Sequence, residues 1–128
     1  MPYVRRRAVR KKRLQFVVEA QTAGRVFDLG ELLLDVQAVC HPFIVGELAC
    51  GTIKNRVEFL SLLQSLPMAP TVSLDELLYF IDRHALMGMG IGFVDAHLLA
   101  SAQLSSIPLW TSDKKLKSAA TKLEVSYK

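Results

Sequence analysis

Apolar and polar positions recur in helical registers along most of the chain, and they mark where its elements should fall. Leu29, Leu32, Leu33 and Val36 stand at i, i+3, i+4 and i+7, which predicts a short amphipathic helix over Leu29 to Val39. The His41-Pro42 step predicts an extended residue followed by a turn or helix start, and Ile44 to Cys50 reads as a helix closed by Gly51. Val57 to Leu66 is a core-facing helix stopped before Pro67. Ser73 with Glu76 has the capping-box spacing for a helix over Leu74 to His84. Phe93 to Leu104 places Val94, Leu98, Leu99 and Ala102 on one side of a further helix. Ile107 to Thr111 is apolar and of strand length, Lys114 to Leu123 is a Lys-rich helix, and Glu124 to Tyr127 alternates as an edge strand. Strands separated by helices need crossover connections, so the class predicted is α/β with a mostly parallel sheet.

At 128 residues and 14.3 kDa the chain has the length of one domain, which excludes a cofactor domain beside a substrate domain. Cys40 and Cys50 form no CxxC pair, which excludes a zinc ribbon or thioredoxin-type site and predicts reduced thiols. No apolar run reaches the ~20 residues of a membrane span, and the charged N-terminus lacks the apolar stretch of a signal peptide. A soluble, cytoplasmic protein is expected. The net charge of +4 is unevenly placed: residues 1–13 hold seven of the sixteen Lys and Arg and no acid, whereas the remainder has nine basic residues against twelve acidic ones. Such an arm either attracts phosphate nonspecifically or is a solvated tail.

Three acids stand out by context. Glu47 lies among apolar and small neighbours, Asp95 sits in the first turn of a core-facing helix, and Asp113 follows a strand end, where parallel α/β folds bind ligands. A buried cluster of carboxylates demands a cation, a proton or a basic partner, and a hard divalent ion suits such oxygen donors. Two of the acids have ordinary alternatives: Asp113 as a helix N-cap and Asp95 as a first-turn residue favoured by the helix dipole. His41 reads as a turn residue, His84 as a helix end, and His97, two residues from Asp95, as pointing to another face. The Gly88, Gly90, Gly92 run follows a helix and does not form a dinucleotide motif; it reads as a flexible loop ahead of Asp95.

Three blocks in order, His41-Pro42-Phe43-Ile44-Val45-Gly46-Glu47-Leu48-Ala49, Gly90-Ile91-Gly92-Phe93-Val94-Asp95-Ala96-His97-Leu98-Leu99-Ala100 and Leu109-Trp110-Thr111-Ser112-Asp113-Lys114-Lys115-Leu116, resemble the VapC toxins of the PIN-domain nuclease superfamily. The resemblance covers roughly residues 29–128. It implies a single three-layer α/β/α domain in which residues 1–28 are a divergent basic segment and 29–128 the recognisable core. It further implies a Mg²⁺- or Mn²⁺-dependent endoribonuclease, the toxin of a type II toxin–antitoxin pair. Such a protein acts on RNA, is usually a homodimer and is neutralised by a cognate antitoxin. By this resemblance Glu47, Asp95 and Asp113 match catalytic acids of the metal site, and Thr111 a polar position beside them.

The chain departs from the family at its start, where a short apolar strand normally ends in the first metal-binding aspartate. Phe16-Val17-Val18-Glu19 and Val26-Phe27-Asp28 are its nearest imitations, and Glu19 replaces that ligand if Leu14 to Val18 forms the central strand. Alternatively, one permitted codon set for residues 13–21, read in a frame shifted by one base, spells Asp-Ser-Ser-Ser-Trp-Trp-Lys-His, which looks like the missing motif. A catalytically impaired module that keeps antitoxin binding or dimerisation is the competing functional expectation.

Overall fold

The computed structural model describes residues 15–18 and 37–127. Within them the chain forms strands β1 (Gln15–Val18), β2 (Gln37–Val39) and β3 (Leu109–Trp110), and helices α1 (Pro42–Ala49), α2 (Arg56–Ser65), α3 (Leu74–Arg83), α4 (Phe93–Ser105) and α5 (Lys114–Lys122). The α/β class expected from the sequence is present. The strands pair in the order β2-β1-β3, all parallel, with Val17 level with both Val39 and Leu109. Single parallel bridges extend this ribbon on both sides, Cys40 to Met68 beyond β2 and Leu109 to Ser126 beyond β3.

Followed along the chain, the sheet grows outward from β1 through β2 to Met68, then crosses back to β3 on the other side of β1 and outward again to Ser126. The strand order therefore reverses between β1 and β3. In open parallel sheets the crevice outside the carboxyl ends of the strands at such a reversal is where ligands bind.

Local chemistry explains the helix boundaries. The Ser73/Glu76 capping box is complete: Ser73 Oγ accepts from the Glu76 N–H at 3.1 Å, and Glu76 Oε1 accepts from the Ser73 N–H at 2.7 Å. Pro42 opens α1, where its missing N–H costs nothing. Ser106 ends α4 in the left-handed region at φ 58°. Asp113 caps α5 by accepting the Leu116 N–H.

Every residue of α4 from Ala96 to Ala102 is buried, so this helix is central to the core rather than amphipathic. Its Leu98 and Leu99 share one core cluster with Ile44, Leu63, Leu86, Leu109 and Leu116, all at most 2% exposed. Among the described residues no helix is long and apolar enough to cross a membrane.

Two elements differ from expectation. The last residues of the predicted Leu29–Val39 helix, Gln37 to Val39, are strand β2, because pairing with β1 outweighs a helical register that gains nothing from neighbours there. The earlier part of that helix lies outside the described residues. The predicted edge strand over Glu124 to Tyr127 shrinks to one bridge, with Leu109 donating to the Val125 carbonyl at 2.6 Å and Tyr127 donating back at 2.9 Å. A left-handed Glu124, φ 61°, turns the chain into it directly from α5.

Candidate metal centre

Each candidate acid arrives from a different element. Asp113 follows the carboxyl end of β3 by three residues. Thr111, 8% exposed, holds the turn by accepting the Asp113 N–H on its Oγ1 at 2.9 Å. The Asp113 carboxylate is half-buried and accepts the Leu116 N–H through Oδ2 at 3.3 Å, which leaves Oδ1 outside that bond. The N-cap role is therefore real, and it also fixes the carboxylate at the positive end of α5.

Asp95 is half-buried in the first turn of α4. Because α4 runs into the start of β3, its N-terminal turn lies at the end of the helix away from that connection. The loop before it touches α5: a Cβ built on Gly90 would come within 2.8 Å of Lys115 Cδ and 3.2 Å of its Nζ. With φ +80°, Gly90 is in a conformation that side chains rarely adopt, which favours glycine there, whereas the flexible Lys115 side chain could shift aside. The start of α5, carrying Asp113 and Lys115, is thus set beside the loop that leads to Asp95.

Glu47 lies on α1 and is exposed. This corrects the expectation of a carboxylate enclosed by its apolar neighbours. The helix meets the core along one side, through the fully buried Ile44 with Val45 and Leu48 beside it, while Gly46 and Glu47 stay in solvent. Among the described residues no group of three or more His, Cys, Asp or Glu is close enough to hold a metal ion. Glu19 lies outside the described residues, but the strand that precedes it, β1, is the middle strand of the sheet. Glu47, Asp95 and Asp113 are all described residues and are not gathered into a group that could hold a metal; Mg²⁺, which retains several waters, needs only one or two protein carboxylates directly.

The histidines carry more structure than their sequence positions suggest. His41 is the N-cap of α1 and is fully buried, not a surface turn residue. Its Nδ1 accepts the Phe43 N–H at 3.0 Å, its Nε2 lies 3.1 Å from Ser101 Oγ, and Ser101 in turn donates to the Pro70 carbonyl at 2.5 Å. Burial, and secondarily the neighbouring His97, lowers the His41 pKa to about 4. His97 is 3% exposed, and burial also pushes its pKa down. Its ring meets Phe43 and Phe93 edge-on at 4.6 and 4.7 Å. The only sequence signal for His41 was its extended position before a proline, which is also an N-cap geometry; nothing pointed to a partner sixty residues away.

No protein-family profile matches the chain. The chain is 46% identical over 99 residues to Ribonuclease VapC32 of Mycobacterium tuberculosis, in each of two strains; the match spans 77% of this chain and 80% of the relative. Its fold is shared with the crystal structure of PAE2754 from Pyrobaculum aerophilum at a TM-score of 0.68, covering 89% of this chain and 88% of the other at 16% identity. At that identity the structural likeness speaks for the fold alone.

Proposed function

Because this chain belongs to the VapC family of PIN-domain ribonucleases, we propose that it cleaves RNA phosphodiesters as the toxin of a type II toxin–antitoxin pair. In this reading Glu47, Asp95 and Asp113 serve a divalent cation, Mg²⁺ or Mn²⁺, one or two of them directly and the remainder through its waters. The observation that carries it is the placement of Asp113 after β3, beside the reversal of strand order, with the loop leading to Asp95 packed against the start of α5. The relative's name as a ribonuclease favours an active enzyme over a catalytically impaired module.

When bound, the cation would supply Lewis acidity and neutralise charge developing at the scissile phosphate. The chain's own residues do the rest. Asp113, its geometry fixed by the Thr111 turn and the α5 cap, presents a carboxylate oxygen outside its capping bond. Asp95 lies in the first turn of α4, where the helix N-terminus attracts negative charge. Lys114, Lys115 and Lys117, all exposed on α5, offset the acids and draw the RNA backbone toward them. RNA segments with unpaired bases suit such a site better than duplex, because their backbone can be splayed against it. The partners proposed are RNA, a cognate antitoxin that covers the acidic site, and a second copy in a homodimer; the setting proposed is the cytoplasm.

Purified protein incubated with unpaired RNA tests this reading. Cleavage that stops with EDTA and returns with excess Mn²⁺ is expected. Cleavage that persists in EDTA, or in Asp95→Asn, would overturn the assignment of the acids.

A further inference from the structure

We propose that Phe93 is a stacking platform for one unpaired base of the RNA, beside the bond that is cleaved; this rests on the reading of the chain as a ribonuclease. A single exposed aromatic residue is ordinary on a protein surface. Phe93 is 59% exposed, yet its ring is held firmly on one side. It lies nearly parallel to Phe43, with centroids 6.4 Å apart and planes inclined by 23°, and it meets the buried His97 edge-on at 4.7 Å. His97 in turn meets Phe43 edge-on at 4.6 Å. The three rings brace one another where α1 and α4 touch, so the outward side of Phe93 is presented in a fixed orientation. A partner that stacks there has little ordering of the ring left to offset.

The surroundings of the ring suit a nucleotide. Gly46 stands about one turn after Phe43 on α1, and Gly92 immediately precedes Phe93; a Cβ built on either would meet nothing within 4 Å. Both helices therefore leave space beside the ring pair. Gly90, three residues before Phe93, lies against the side chain of the exposed Lys115. Three residues of chain span at most about 11 Å, so a cation stands near the platform to take a backbone phosphate. Asp95 follows Phe93 by two residues, and side chains so spaced leave a helix on different sides. The ring thus does not meet the phosphate that Asp95 serves; it fits the base of a neighbouring nucleotide. Every base has a π-face, and only an unpaired one can be splayed onto a protein ring, so the platform selects single-stranded RNA without selecting its sequence.

Phe93→Leu keeps apolar cover over His97 but removes the flat face, whereas Phe93→Trp enlarges it. The kinetics are measured on a short unpaired RNA and on copies of it in which one nucleotide at a time beside the cleaved bond lacks its base. On the intact RNA, KM should rise about tenfold in Phe93→Leu with kcat within about twofold of wild type, and in Phe93→Trp it should equal or fall below the wild-type value. At one abasic position the wild-type KM should rise by a similar factor while that of Phe93→Leu stays as it was, because the partner of the missing base is already gone. A KM that Phe93→Leu leaves unchanged, or losses that simply multiply at every abasic position, would overturn the platform. Weaker self-association of Phe93→Leu in sedimentation, with KM unchanged, would also overturn it and give the ring to a contact between copies. A wild-type protein that cleaves no RNA would overturn the ribonuclease reading instead.

Discussion

The two ends of the α1–α4 contact are built on opposite principles. At one end His41, Ser101 and Ile44 are fully buried, and every polar atom of the His41–Ser101 pair has a partner. At the other, Glu47 is exposed, and Asp95 and Asp113 are half-buried at helix N-termini. The closed end excludes charge, and the open end collects it. A carboxylate can be kept ionised near a core only where water, a helix dipole or a partner compensates it, and these three acids stand at exposed or half-buried positions, two of them at helix N-termini. In the proposed function the closed end contributes rigidity and the open end chemistry.

Substitutions at the two ends should separate these contributions. The largest effect belongs to Ile44→Ala, which removes a fully buried side chain and should cost about 2–5 kcal/mol in urea denaturation. At the open end, Asp95→Asn should lower kcat for RNA cleavage by about 100-fold, a larger effect on activity than on stability. A large stability loss there with little effect on kcat would erase the distinction.

Acidification probes the closed end. The folded-state pKa of His41, about 4, lies below the ordinary value of 6.5, so the folded protein favours the neutral imidazole. Its contribution is fully present above pH 6.5 and is lost as pH falls toward 4, because only the unfolded chain takes up the proton in that window. At about 1.4 kcal/mol per pH unit, the loss between pH 6.5 and pH 5 is about 2 kcal/mol. Denaturation curves at the two pH values should show it in wild type, and the His41→Asn variant should lack this component. The smallest effect is the cap: Asp113→Ala should cost about 1 kcal/mol of stability as well as activity, whereas Asp113→Asn keeps the cap and loses activity alone.

Much of this division was legible from residue pattern. The Ser73/Glu76 spacing predicts a capping box that is present in both its bonds, and the position of Asp113 before a Lys-rich helix predicts the N-cap bond it makes. The exposure of Glu47 is not legible in its apolar neighbours, because neighbours along a chain do not tell which side of a helix meets the core; Ile44, Val45 and Leu48 meet it, and Glu47 does not. Gln37 to Val39 followed the periodicity of the residues before them, yet pairing with β1 decided their conformation. The role of His41 was invisible because its acceptor, Ser101, is brought near only by the packing of α1 on α4.

The most direct measurement is a calorimetric titration of the purified protein with Mn²⁺ beside Asp113→Asn, in which the α5 cap survives and only the charge is lost. Saturable binding by wild type that the variant loses is the predicted result. Equal binding by both, or none by either, would contradict a divalent-cation site built on these carboxylates.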